Sequence, residues 1–313
     1  MSLQVKTSLI NLDFNNSYSV ESKVLDANWN EGFFSNCSTA LWALTDLKQM
    51  NHVPVKIRIE SGWDNFRDNN DKNDLYSVFF KAQKKCSFKR SYFPLEHINP
   101  HANYREIFFG RYLEFTDCFF KPNEKIEQII NSFIKKYDIN PKKTIAVCYR
   151  GTDKVREVDI AEPDLYVSVV KKILKNKKYR DHKVFIQTDQ AQVRDMFIEH
   201  FGDNCFFIDE MPVTASSKVI HSFSSEQLGL SKQSFAQNLI AVVNIAARCN
   251  VIVNHTGNVA LWICLYRRTC KNMYQFNSLG NLILPPVLPT FFYYLNRYVR
   301  YVKRKIKNIF LNN

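Results

Sequence analysis

The second half of the chain limits the possible folds most, because short apolar runs alternate there with segments of helical length. Residues 144–149, 184–188, 205–208 and 251–253 read as strands, while 163–174, 191–201 and 234–248 carry helical patterns. A further helix is expected over 257–266. Strands separated by helices of about 10–15 residues form a parallel sheet with helices on both faces. All strands of such a sheet point the same way, so the loops leaving their carboxyl ends gather on one rim, where ligands bind.

Three of those loops carry chemistry. The first runs from Arg150 through Gly151, Thr152, Asp153 and Lys154 to Glu162. The planar fork of Arg150 suits a diphosphate, because it gives bidentate, charge-assisted bonds to phosphate oxygens. Asp153, next to it, reads as an ion-pair partner that orients the arginine. The second loop, Gln187-Thr188-Asp189-Gln190, directly follows an apolar strand. The third, Asn254-His255-Thr256-Gly257-Asn258, joins a strand to a helix. Gly257 permits close backbone approach there, and the N–H groups of Asn258 and Val259 at the helix start are suited to phosphate. Each loop alone has an ordinary reading: solvated charges for the first, a helix cap for Thr188-Asp189, an N-cap with a tight turn for Thr256-Gly257-Asn258. Together they point to a nucleotide-diphosphate pocket.

The first half is less regular. Residues 8–12 read as a strand, a helix follows Gly32 through about Leu47, and 53–59 alternates like a strand with Pro54 near its start. The polar stretch 63–74 lacks the glycine and terminal glutamate of a calcium loop and reads as a surface loop. Ile126, Ile129, Ile130, Phe133 and Ile134 recur at helical spacing over 124–137, and Asn140-Pro141 is the best boundary signal. The expected division is therefore 1–140, 141–288 and 289–313. Within the last piece, Phe291, Leu295, Val299, Val302, Ile306 and Ile309 recur every three to four residues among six Lys and Arg. A basic amphipathic helix of that kind is built to lie on an anionic membrane surface or to pack back on the first domain. The serine-rich stretch 216–234 reads as a connector able to close over a ligand.

Charge and composition narrow the partners. A formal charge of +13 favours anionic ones, but no nucleic-acid-binding signature is present. Only eight glycines occur and none falls in a GxGxxG, which counts against a dinucleotide fold. The eight cysteines are dispersed without a CxxC pair and are expected to be free thiols, with neither a disulfide frame nor a zinc site. Neither a secretory leader nor a membrane-spanning run is evident, so a cytoplasmic protein is expected, with peripheral attachment to the inner face of a membrane an option.

Residues 149–155, 185–189 and 249–258 resemble three ordered motifs of GDP-fucose-dependent fucosyltransferases, most closely the α-1,6-fucosyltransferase and rhizobial chitooligosaccharide fucosyltransferase group. Gly32-Phe33-Phe34-Ser35-Asn36 is similar to the glycine-led loop near the start of related glycosyltransferases. The resemblance implies a GT-B-like fold of two Rossmann-like α/β domains and inverting, metal-independent transfer. It implies no cofactor, a nucleotide sugar as donor, and a glycan acceptor that could be lipid-linked. By position, Arg150 would hold and stabilise the leaving β-phosphate and Lys154 would serve an acceptor-side relay. Thr188, Asp189, His255, Thr256, Gly257 and Asn258 would form the donor side, and Gly32, Phe33 and Asn36 the acceptor side. The chain departs from the pattern at Cys148, usually histidine, and at Gly151, usually a second arginine. It also has Val158 at the catalytic glutamate and Val242 at the acid that reads guanine. Glu157, then Asp159, is the replacement expected for the base, with His221 and His255 further options. The departures also fit a degenerate module that binds nucleotide or glycan without catalysis.

Overall fold

The computed structural model describes residues 18–19, 23–52, 54–68, 73–81, 95–152, 158–216 and 218–287, with 292, 295, 299, 300, 302 and 303. The expected strand at 8–12 lies outside the described residues. Among the described residues the strands are β1 (Tyr18–Ser19), β2 (Val24–Asp26), β3 (Lys56–Arg58), β4 (Thr144–Tyr149), β5 (Lys183–Thr188), β6 (Cys205–Phe206), β7 (Val251–His255), β8 (Met273–Phe276) and β9 (Leu282–Ile283). Among the described residues the α-helices are α1 (Phe33–Gln49), α2 (Tyr76–Phe79), α3 (Leu113–Phe119), α4 (Glu124–Lys136), α5 (Pro163–Leu174), α6 (Ala191–Phe201), α7 (Ser225–Leu228), α8 (Lys232–Arg248) and α9 (Asn258–Arg267).

The main sheet has the order β6-β5-β4-β7-β8-β9 and is parallel except for β9 at one edge. β4 lies inside it, with Val147 paired to Ile186 on one side and Val253 on the other. All six residues of β4 are buried, as expected of a strand covered on both faces. Its side chains divide by the period of two. Ile145 and Val147 join Tyr166, Val170, Val193 and Phe197 under α5 and α6. Ala146 and Cys148 face a second cluster built on α8 and α9.

That second cluster also takes in the first half of the chain. It runs continuously from Leu25 of β2 through Leu41 of α1 and Phe115 of α3 to Ile240 of α8 and Trp262 of α9. A smaller sheet, β1-β2-β3, is antiparallel at its first pair and parallel at its second. Beside it, Phe33 meets Trp63, Phe66 and Phe79 edge-on at centroid distances of 5.0, 5.3 and 5.1 Å. T-shaped pairs of this kind add stabilisation beyond their buried area.

The free-thiol expectation needs one correction. Cys37, Cys148, Cys205, Cys249, Cys264 and Cys270 are free, but Cys118 is disulfide-bonded. Wide dispersal in sequence does not prevent two cysteines from meeting in space, which depends on packing between elements. Of the C-terminal segment, only Phe292, Leu295, Val299, Arg300, Val302 and Lys303 are described, and all six are helical.

Candidate functional site

A cleft of about 280 Å³ opens at the carboxyl ends of β4 and β5. Its wall includes Arg150 just after β4, Gln187, Thr188 and Asp189 at the end of β5, and the first turns of two helices. Gly32, Phe33, Phe34 and Ser35 come from α1, Asn258 and Val259 from α9. The N-cap residues are Gly32 and Gly257, and neither helix start has a side-chain cap. The first-turn N–H groups have no partner within a helix, so both starts offer donors and a positive dipole end to the cleft. With Arg150 beside them, one end of the cleft is built for an anion.

Arg150 is positioned by Asp189. The Asp189 carboxylate accepts the Gly151 N–H at 3.0 Å and the Thr152 hydroxyl at 2.7 Å, and lies 3.7 Å from Arg150 Nε. Asp189 is 8% exposed and so works as an internal anchor of the arginine loop. Asp153, assigned the orienting role from sequence, lies outside the described residues, as do Lys154 and Glu157. Thr188 accepts the Gln190 N–H at 3.1 Å and shapes the turn after β5. A side chain at position 151 would require its neighbours to shift. A Cβ there would stand 2.6 Å from Gln190 Cδ and 2.8 Å from the Tyr149 ring. Cys148 is buried in β4, and burial pushes its thiol up to about 12, so it offers neither a base nor a nucleophile.

The third loop is clamped from the first half. Gly257 has φ 134° and ψ 175°, a backbone region that essentially only glycine occupies. Its N–H donates to Pro100 O at 2.9 Å, and the buried Tyr104 hydroxyl lies 2.6 Å from Pro100 O and 2.9 Å from Gly257 O. Ser38 Oγ of α1 accepts from Trp262 Nε1 at 3.0 Å and sits 2.7 Å from Asn258 Oδ1. This fixes the two helix starts relative to each other. His255 and Thr256 are buried behind the cleft, beside a cavity of about 30 Å³ that Arg150, Gly257 and Asn258 also line. His255 Nε2 contacts Asp159 O at 3.2 Å. The Asp159 side chain is exposed and does not line the cleft.

Of the residues assigned to the acceptor side, Gly32 and Phe33 line the cleft, although Phe33 is mostly core. Asn36 is fully buried, and its Oδ1 accepts the Glu31 N–H at 3.0 Å, holding the loop that leads into α1. Glu31 itself lines the cleft and accepts a hydrogen bond from Ser35 Oγ. Its position next to Gly32 was the only sequence signal for it. His221 reaches the wall from the serine-rich segment, which carries a capping box, Ser224 with Gln227, at the start of α7. The lining also has an apolar part, made of Met211, Pro212, Ile220, Phe235 and Leu239. Val242 is fully buried on α8 and brings no hydrogen-bonding group.

No family model and no curated protein matches this sequence. Solved structures similar to the chain include fucosyltransferase NodZ from Bradyrhizobium, at 16% identity and a TM-score of 0.48, over 84% of this chain and 98% of that one. A second is NodZ alpha-1,6-fucosyltransferase co-crystallized with GDP, at 16% identity and a TM-score of 0.47 over the same shares, 84% and 98%. A third, NodZ soaked with GDP-fucose, aligns over 57% of this chain and 54% of that one, at 18% identity and a TM-score of 0.39.

Proposed function

We propose that the chain is an inverting glycosyltransferase that moves fucose from GDP-fucose to a glycan hydroxyl without a metal. The observation that carries this reading is the convergence of Arg150 and two uncapped helix starts on one cleft that also has an apolar lining. A nucleoside diphosphate combines the same two features. The fucose assignment draws on the motif resemblance of residues 149–155, 185–189 and 249–258.

In this reading the acceptor oxygen attacks the anomeric carbon, the bond from that carbon to the β-phosphate oxygen breaks, and the electron pair leaves with the phosphate. Charge therefore develops on the diphosphate, where Arg150 and the helix-start N–H groups receive it. The acceptor proton goes to a carboxylate. Glu31 is our choice, because it lines the cleft; Glu157, with Lys154 in the relay, is the other candidate. Residues 141–288 then serve the donor and 1–140 the acceptor, with the start of α1 also reaching the diphosphate. The helical positions Phe292, Leu295 and Val299 share a face with spacings of three and four residues and are exposed, next to Arg300 and Lys303. They support attachment of residues 289–313 to an anionic membrane, which suits a lipid-linked acceptor.

The test is thermal stability of the full chain against GDP, GDP-fucose and UDP- and CMP-sugars, followed by transfer to chitooligosaccharides. Ligand at 100 times its dissociation constant adds about 2.7 kcal/mol. Stabilisation by GDP and GDP-fucose that disappears in Arg150→Ala, with fucose transferred, is the expected outcome. A response confined to UDP- or CMP-sugars refutes the fucose assignment. Binding without transfer identifies a non-catalytic module, and no binding refutes the reading altogether.

A further inference from the structure

Gln187 is the buried polar side chain of the cleft that the proposed reaction leaves unused. It is 9% exposed, and its Oε1 is buried without a hydrogen-bond partner among the described residues. Its neighbours are committed elsewhere, Thr188 to the Gln190 N–H and Asp189 to the Arg150 loop. Buried side-chain oxygens without a partner are uncommon in folded proteins, and each one needs an explanation. The cavity behind the amide, bordered by Phe185, Phe207 and Val242 and by Arg194, which is paired with Asp195, measures only about 10 Å³, at the lower limit for a water. Oε1 is closed off from the main cleft as it stands, but the residue lines that cleft, so a turn of the side chain brings the oxygen to a ligand there.

Its place there is informative. Gln187 pairs in register with Cys148, two residues before Arg150, so it sits on the strand next to the anion end. Met211, which borders both the cleft and the small cavity, begins the apolar wall beside it. In a nucleoside diphosphate the flat, apolar-faced base is one ribose away from the phosphates, and its polar edge needs hydrogen-bonding partners.

We infer that Gln187 reads the nucleobase of the donor, its amide pairing with the base edge while Met211, Pro212, Ile220, Phe235 and Leu239 enclose the ring. The inference rests on the nucleoside-diphosphate reading of the cleft. An amide brings one acceptor and one two-proton donor group. The N1–H and O6 edge of guanine uses both functions, Oε1 accepting N1–H and Nε2 donating to O6. The 2-amino group of guanine is then left unread. A carboxylate in the same place would instead accept from N1–H and the 2-amino group together.

The experiment is isothermal titration of the full chain with GDP, IDP (which lacks only the 2-amino group) and inorganic pyrophosphate. Wild type, Gln187→Leu and Gln187→Glu are compared. Wild type is expected to bind GDP and IDP equally. Gln187→Leu should weaken both by about tenfold or more while pyrophosphate binding stays unchanged. Its ligand-free melting temperature should hold or rise, since an orphaned acceptor has been removed. Gln187→Glu should prefer GDP over IDP by about tenfold, and this arm decides the matter if the leucine variant fails to fold. Unchanged GDP affinity in Gln187→Leu overturns the inference and leaves the nucleotide site standing, as does a parallel loss of pyrophosphate binding, which marks a structural role. A wild type that strongly prefers GDP to IDP overturns the edge assignment. A wild type that binds neither GDP nor pyrophosphate overturns the inference together with the site.

Discussion

Replacing Asp189 by alanine should loosen the Arg150 loop before any ligand arrives. The carboxylate is 8% exposed and accepts two bonds, from the Gly151 N–H at 3.0 Å and the Thr152 hydroxyl at 2.7 Å. Hydrogen bonds to a charged partner contribute about 1.5–3 kcal/mol each. The Arg150 pair, at 3.7 Å with the arginine side chain 35% exposed, is solvent-screened and adds less than about 1 kcal/mol. Because the Thr152 hydroxyl can turn to another acceptor, the total falls toward the lower part of the sum, roughly 3–5 kcal/mol. At about 2 °C per kcal/mol for a chain this long, the melting temperature should fall on the order of 10 °C. Asp189→Asn keeps an oxygen for Gly151 and should lose roughly half as much. Urea denaturation of Asp189→Ala, Thr152→Val and the double variant checks the mechanism, with an expected coupling of at least about 1 kcal/mol. Additive single effects, or an Asp189→Ala midpoint equal to wild type, would refute the anchoring role. Lost nucleotide affinity at unchanged stability would show instead that Asp189 contacts the donor directly.

Glu31→Gln should lower kcat by about 10²–10⁴-fold with GDP affinity retained, measured by steady-state kinetics alongside titration; full activity would transfer the base role to Glu157. Gly257→Ala forces a Cβ onto a backbone at φ 134° and should cost about 1–3 kcal/mol in chemical denaturation, with weaker GDP binding because α9 starts there. For pH dependence, burial and the nearby Lys143 ammonium lower the pKa of His182, whose Nε2 lies 3.0 Å from Asn250 Nδ2. The unfolded chain therefore takes up this proton first. The contribution is intact above about pH 6.5 and stability is lost as pH falls below it. Urea midpoints at neutral and mildly acid pH should converge for His182→Asn and separate for wild type; equal pH slopes would count against His182.

Much of the sheet was legible in the sequence. The residue spans 144–149, 163–174 and 191–201 correspond to β4, α5 and α6, because apolar period and Pro163 at a helix start are local signals that survive packing. β8 and β9 went unread: β9 is a two-residue edge strand and β8 the short strand beside it, and both depend on neighbouring strands for their stability. Arg150, Thr188, Asp189 and Asn258 could be brought to one rim from strand direction alone. What each does there was not legible. That Asp189 anchors the arginine loop, and that Asn36 holds the Glu31 backbone, follows from which donors lie within about 3 Å, a matter of tertiary placement.

The sequence by itself determined the parallel sheet and the rim where chemistry gathers, because both follow from periodicity and chain direction. Only the tertiary structure decided that the start of α1 faces the start of α9 through Ser38 and Asn258, which brings Glu31 to the cleft of Arg150. It also decided that Gln187 has a buried oxygen with no partner among the described residues. A helix or strand declares itself through neighbours a few residues away. A site between distant segments exists only once a shared core, here the cluster running from Leu25 to Met273, has fixed the distance between them.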